Sequence, residues 1–248
     1  MEARGLTLYI ETRMNETLIL ATTAGTLGFI HTLIGPDHYL PFIVLAKARK
    51  WTAFRTAMIT ILCGFGHILS SIILGFIGII LGTAVFKLEA IEASRADLAS
   101  WLLVSFGFAY LIWGIHTALR RNSHQHMHPH ENSKNHLHPH SHVGIHSHIH
   151  ISKTLGLTPW ILFLVFVFGP CEPLIPLIMY PAAKHNMFAV AVTALVFGMA
   201  TISTMLIVVL GSFYGLAKLP FENLQRYSHA LAGLAILTCG WLVKFFGL

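Results

Sequence analysis

Ionisable side chains are scarce in this chain: Asp, Glu, Lys and Arg together make up 10% of it, against 55% hydrophobic residues. So little charge cannot cover a water-facing surface, which excludes an ordinary soluble globular domain. Cysteine is scarcer still. Cys63, Cys171 and Cys239 are the only three, with no Cys-x-x-Cys pair, so a disulfide framework is excluded. No Gly-x-x-x-x-Gly-Lys-Ser/Thr loop is present, and neither His-Glu-x-x-His nor Gly-x-Ser-x-Gly occurs, so nothing points to nucleotide hydrolysis or intramembrane proteolysis, and no enzymatic activity is expected. The net charge of +6 is not interleaved with aromatics in the manner of a nucleic-acid surface, so no nucleic-acid partner is expected.

What the chain has in quantity is long apolar runs. Spans are predicted at 17–46, 56–86, 100–119, 154–182, 187–216 and 227–247, making an all-α, polytopic membrane protein of six helices whose first partner is the bilayer. The first 16 residues lack the layout of a removable signal peptide, so the first apolar stretch is expected to stay as a helix. Ten Lys and Arg fall in the first, third and fifth loops against six elsewhere, which predicts termini outside and the third loop in the cytoplasm, as for a bacterial inner-membrane protein.

The two halves resemble each other. Gly35-Pro36-Asp37-His38 and Gly169-Pro170-Cys171-Glu172 open similar segments, each with a later proline and a closing lysine, Lys47 and Lys184. Phe65-Gly66-His67 faces Phe197-Gly198-Met199, and Gly107 and Gly114 face Gly233 and Gly240, at offsets of 134, 132 and 126 residues. Three ordered matches indicate duplication. With three spans per half, the second copy must enter the membrane upside down, giving a 3+3 inverted repeat: 1–119, a loop at 120–153, and 154–248. Pro36 and Pro170 lack an N–H, so helices 1 and 4 are expected to break at Gly35-Pro36 and Gly169-Pro170, and paired broken helices are where transport sites lie.

Ionisable side chains at those breaks are costly in hydrocarbon and call for a function. His31 and His38 lie two turns apart, Asp37 adjoins His38, and His67 sits among small residues that allow close helix approach. Imidazole with carboxylate suits nickel, cobalt or zinc, and a Cys171 thiolate with Glu172 would supply the opposite wall. Cys63 and Cys239, among Leu, Ile and Gly, read as packing residues. Between the third and fourth spans, His124, His126, His128, His130, His136, His138, His140, His142, His146, His148 and His150 form a low-complexity metal-buffering tract.

Six spans, a His…Asp-His signature, a Gly-His in the next helix and a His-rich loop resemble the nickel/cobalt transporter superfamily, especially its smaller efflux and urease-accessory-type members. The resemblance implies metal recognition by His31, Asp37 and His38, although here five residues separate His31 from Asp37 where that superfamily has four. Gly169-Pro-Cys-Glu-Pro also resembles the Pro-Cys helices of membrane thiol electron carriers. The expectation is therefore a transporter of Ni²⁺ or Co²⁺, with Zn²⁺ as a further candidate, no prosthetic group, coupling to an ion gradient, export read ahead of import, and homo-oligomerisation left open. The alternatives are a thiol–disulfide electron carrier using Cys171 and an anion exporter of the same fold.

Overall fold

The computed structural model describes residues 2–82, 85–120, 157–217 and 222–246. Among them the only regular structure is helical: α1 (Glu2–Ile34), a 3-10 turn (Pro36–His38), α2 (Leu40–Ala48), α3 (Ala53–Ile80), α4 (Val85–Arg120), α5 (Leu157–Phe168), α6 (Leu174–Ala183), α7 (Met187–Ala217), a second 3-10 turn (Glu222–Tyr227) and α8 (Ser228–Phe246). Five helices are long and apolar enough to cross a membrane, while α5 and α6 are short and apolar. Large apolar side chains such as Phe54, Ile80, Ile207 and Phe246 stand more than 70% exposed around the bundle, as a lipid-facing surface requires. The protein is a multi-pass membrane protein.

Two expected spans are divided. The stretch 17–46 ends its first helix at Ile34, and 154–182 becomes α5 and α6 of 12 and 10 residues, each too short to span alone. Backbone chemistry explains both interruptions. Gly35 N–H closes α1 on His31 O at 3.0 Å, then Pro36 offers no donor. Gly169 N–H closes α5 on Val165 O at 2.8 Å, and Pro170 follows. Another expectation needs correcting: the third span begins at Val85 rather than 100. Lys87, Glu89, Glu92, Arg95 and Asp97 suggested a loop, but they lie within α4, so Arg95 does not belong in the outer-loop charge sum.

α2 and α6 end alike. Lys50 and His185 adopt left-handed φ values of 51° and 53°, and the following residues bond back, Trp51 N–H to Ala46 O at 3.0 Å and Asn186 N–H to Pro181 O at 2.9 Å. These are glycine-free helix caps, adopted at a cost of roughly 1 kcal/mol each. They also correct the repeat register, because Lys50 corresponds to His185, so Lys184 matches Arg49 rather than Lys47.

The packing of α4 on α8 shows how the halves are related. A Cβ on Gly107 would lie 2.4 Å from Leu237 N, and one on Gly233 would lie 2.3 Å from Leu111 N. Gly114 meets Ala230 N at 2.4 Å, and Gly240 meets Val104 N at 2.8 Å. Adding 126 to one member of each pair and subtracting it from the other converts the first contact into the second and the third into the fourth. The contacts therefore form a two-fold pattern between antiparallel helices, whose axis must run across the helices and not along them. Other pairings follow the same exchange: α1 packs on α7 as α5 packs on α3, and α2 on α8 as α6 on α4. Two apolar cores result, one around Phe42, Leu45, Leu162, Met205 and Ile236, the other around Leu174, Ile178, Val190 and Phe197.

Candidate functional site

The first helix break gathers three imidazoles. His31 ends α1, His38 closes the 3-10 turn and His67 reaches across from α3, with ring centroids 4.8 Å apart for His31–His38 and 5.2 Å for His38–His67. One ring nitrogen of each lies within 4.8 Å of those of the other two. His38 and His67 are each 3% exposed, and His31 is half-buried.

Hydrogen bonds fix two of the rings. His38 Nδ1 sits 2.9 Å from Asp37 Oδ1 and 3.3 Å from Gly35 O, both acceptors, so Nδ1 carries the proton and donates. His67 Nδ1 likewise donates to Phe166 O at 3.2 Å, a carbonyl at the end of α5. Nε2 is then the lone-pair nitrogen in both. The Nε2 atoms of His31, His38 and His67 are all buried without a protein hydrogen-bond partner. The unsatisfied acceptors of His38 and His67 are costly, typically ~1–3 kcal/mol each, unless something with positive charge or a proton meets them.

Glycine makes the arrangement sterically accessible. A Cβ at Gly35 would fall 2.6 Å from His38 Nδ1 and 2.8 Å from Asp37 Oδ1, and one at Gly169 would fall 3.1 Å from His67 Nδ1. Both Gly-Pro breaks thus seat a histidine ring directly against the main chain. A cavity of about 30 Å³, lined by Asp37, His38, His67, Ser100 and the small Ala96 and Ala99 of α4, opens beside the rings and is large enough for a water-sized occupant.

Asp37 was expected as a metal ligand. It stands outside the three-nitrogen group and acts on His38, orienting the ring as an outer carboxylate does in carboxylate–histidine–metal triads. Cys171 is 0% exposed, packs in the second core with Leu174, Ile178 and Phe197, and is not part of the three-imidazole group. Glu172, expected to be buried, is exposed. The structure therefore brings together His31, His38 and His67 with Asp37 beside them, and leaves Cys171 and Glu172 out. The tract His124–His150 lies outside the described residues.

The second break is held by a pair that the sequence reading placed in a loop. Arg95 of α4 donates to Glu92 Oε1 at 2.5 Å, Ser70 Oγ at 2.7 Å, Val167 O at 2.8 Å and Gly169 O at 3.4 Å. The guanidinium satisfies carbonyls released where α5 stops, and Ser71 and the Cys171 main chain lie beside the Glu92 carboxylate. Glu92 is 1% exposed. The available signal was the spacing of three between opposite charges, which places both on one helix face. Cys63 and Cys239 are buried in the first core, and none of the three cysteines is in a disulfide.

The family of the cytochrome c biogenesis protein transmembrane region matches residues 38–242. The match covers most of the chain, which belongs to that family. No curated protein and no solved structure matches the sequence. The resemblance to the nickel/cobalt transporter superfamily is thereby overturned: its motifs are four to eight residues long, whereas the family match extends over both halves.

Proposed function

We propose that this member of the cytochrome c biogenesis transmembrane family carries a divalent transition-metal cation across the bilayer, taking His31, His38 and His67 as nitrogen ligands and Asp37 as the group that orients His38. One observation carries the reading: a ring nitrogen of each of His31, His38 and His67 lies within 4.8 Å of the other two, with all three Nε2 atoms buried and unpartnered, at the break where a thiol relay would need its second cysteine and the chain has Asp37. Neutral imidazoles with a neighbouring carboxylate suit nickel, cobalt and zinc, and the nearby negative charge lowers the cost of bringing a dication out of water. In this account the two three-helix units, 1–119 and 154–248, form the site between them, since His67 Nδ1 bonds to α5. The loop histidines concentrate metal on the cytoplasmic side, both termini face outward, and an ion gradient drives export.

Family membership favours a different cargo. Of the two readings, a thiol–disulfide electron carrier is the one the family match supports. In that chemistry the Cys171 thiolate attacks an incoming disulfide, one partner thiol leaves, and a second cysteine of the chain displaces the other to close an internal disulfide. The resolving thiol would have to be Cys63 or Cys239, yet both are buried in the first core while Cys171 is buried in the second. The geometry favours the cation over the electron pair on this ground.

Proteoliposomes loaded with a metal-sensitive dye, challenged with nickel, cobalt and zinc and read beside a thiol-trapping assay, decide between the two. Flux that is lost in His67→Ala and retained in Cys171→Ser supports cation transport. No flux from the wild type, together with a Cys171 that cycles between thiol and disulfide, assigns the chain to electron transfer.

A further inference from the structure

A second cavity, of about 670 Å³, opens where α2 ends and α8 begins, far larger than the one beside the imidazoles. Lys47, Lys50 and Arg226 stand around it, and no Asp or Glu lines it among the described residues. A basic cavity repels a metal cation, so the transport reading does not account for it.

The geometry points to this cavity as a binding site for the phosphate headgroup of an anionic lipid. Lys50 lies just beyond α2 and Arg226 just before α8, so both cations sit at helix ends, where a span meets the headgroup layer. The rest of the lining combines apolar side chains such as Ile43 and Leu231 with Thr117, Gln225, Ser228 and His229, and Trp51 forms part of the wall. Cations and apolar side chains in one cavity match a molecule with both a phosphodiester and an acyl tail, whereas a free phosphate has no use for the apolar part. Arg226 is anchored by Nε–H to Ala118 O at 3.1 Å, which leaves its terminal nitrogens available to bind phosphate oxygens in a fork. Basic pockets between membrane helices hold anionic headgroups by this chemistry.

The other end of the molecule is the internal control. His185 repeats the left-handed cap of Lys50, but Lys184 beside it is paired with Glu16 at 2.8 Å. The same cap thus recurs beside a lysine that a carboxylate already holds, so the cap alone does not make an anion site.

The test uses the full-length protein, stripped of lipid in neutral detergent and titrated with phosphatidylglycerol, phosphatidylcholine or inorganic phosphate, and read by native mass spectrometry and thermal melting. Phosphatidylglycerol should bind and raise the melting temperature, the other two should not, and Lys50→Asn with Arg226→Gln should weaken binding roughly five-fold for each charge removed. Asn tolerates the left-handed backbone at position 50, and Lys184→Gln should leave binding unchanged. If the double variant does not fold, acyl-brominated phosphatidylglycerol should quench wild-type fluorescence more than brominated phosphatidylcholine, with the difference absent in Trp51→Phe. Equal binding of the two lipids, or stabilisation by inorganic phosphate alone, overturns the assignment.

Discussion

The two helix breaks share a Gly-Pro and a histidine ring resting on the glycine, yet they satisfy their electrostatics in opposite ways. The first leaves the Nε2 atoms of His31, His38 and His67 without a protein partner, and His38 and His67 line a small cavity that Gly169 and Pro170 of the second break also line. The second is closed, because Arg95 occupies the released carbonyls of Val167 and Gly169 and Glu92 occupies Arg95. The cation at the second break comes from α4, in the other half of the chain. A fixed guanidinium serves the second break as structure, whereas on the proposed reading the first receives its positive charge from outside.

Removing the internal cation should be the most damaging single change. Arg95→Gln leaves Glu92 buried without its counter-charge and is expected to destabilise by about 3–5 kcal/mol, with the double variant Glu92→Gln/Arg95→Gln recovering much of that loss. Melting temperatures of the three proteins measure this. A double variant no more stable than the single one would show that Arg95 acts through the carbonyls alone.

Next in size is the loss of an open ligand. His67→Ala is expected to weaken binding of nickel or cobalt at the break by about a hundredfold or more, since it removes one of three nitrogens and the tie to Phe166 O. Isothermal titration on protein whose eleven loop histidines are replaced by asparagine reads this without interference from the tract.

Asp37→Asn sharpens the contrast. Its carboxylate holds His38 and is not among the three ring nitrogens, so the loss should be about 10–100-fold in affinity, short of abolition, with little change in melting temperature. Complete loss equal to that of His67→Ala would make Asp37 a direct ligand. Cys63→Ala and Cys239→Ala should have the smallest effect, with no change in metal affinity and about 1 kcal/mol or less of stability, because each deletes one buried sulfur from an apolar core.

Much of this contrast was legible in the chain. Gly-Pro at 35–36 and 169–170 marked both breaks, because a missing N–H is a local property of proline. His31, His38 and Asp37 lie within eight residues, so their proximity needed only the turn, and His67 was recognisable as a polar residue among glycines and serines. The matched glycines at offset 126 foreshadowed the reciprocal contacts of α4 and α8. Burial was what the sequence concealed. Five charges between Lys87 and Asp97 looked like a solvated loop, and only tertiary packing reveals that Glu92 and Arg95 turn inward to the second break. Cys171 and Glu172 were assigned to the same site because the repeat aligns them with Asp37 and His38. Alignment gives equivalent backbone positions, however, and side chains of different chemistry need not point to one centre. The short motifs shared with the nickel/cobalt superfamily misled for a related reason: a few ligating residues around a helix break can recur in unrelated families, because they answer the same coordination problem.

The central claim is that the first break holds a cation through its imidazoles. X-ray absorption at the metal edge tests it most directly, on protein with the loop histidines replaced by asparagine and loaded with one equivalent of nickel or cobalt. The account predicts a spectrum of nitrogen and oxygen ligands with the multiple-scattering signature of about three imidazoles, reduced by one in His67→Ala. No bound metal, or a sulfur shell from Cys171 that persists in His67→Ala, would contradict it.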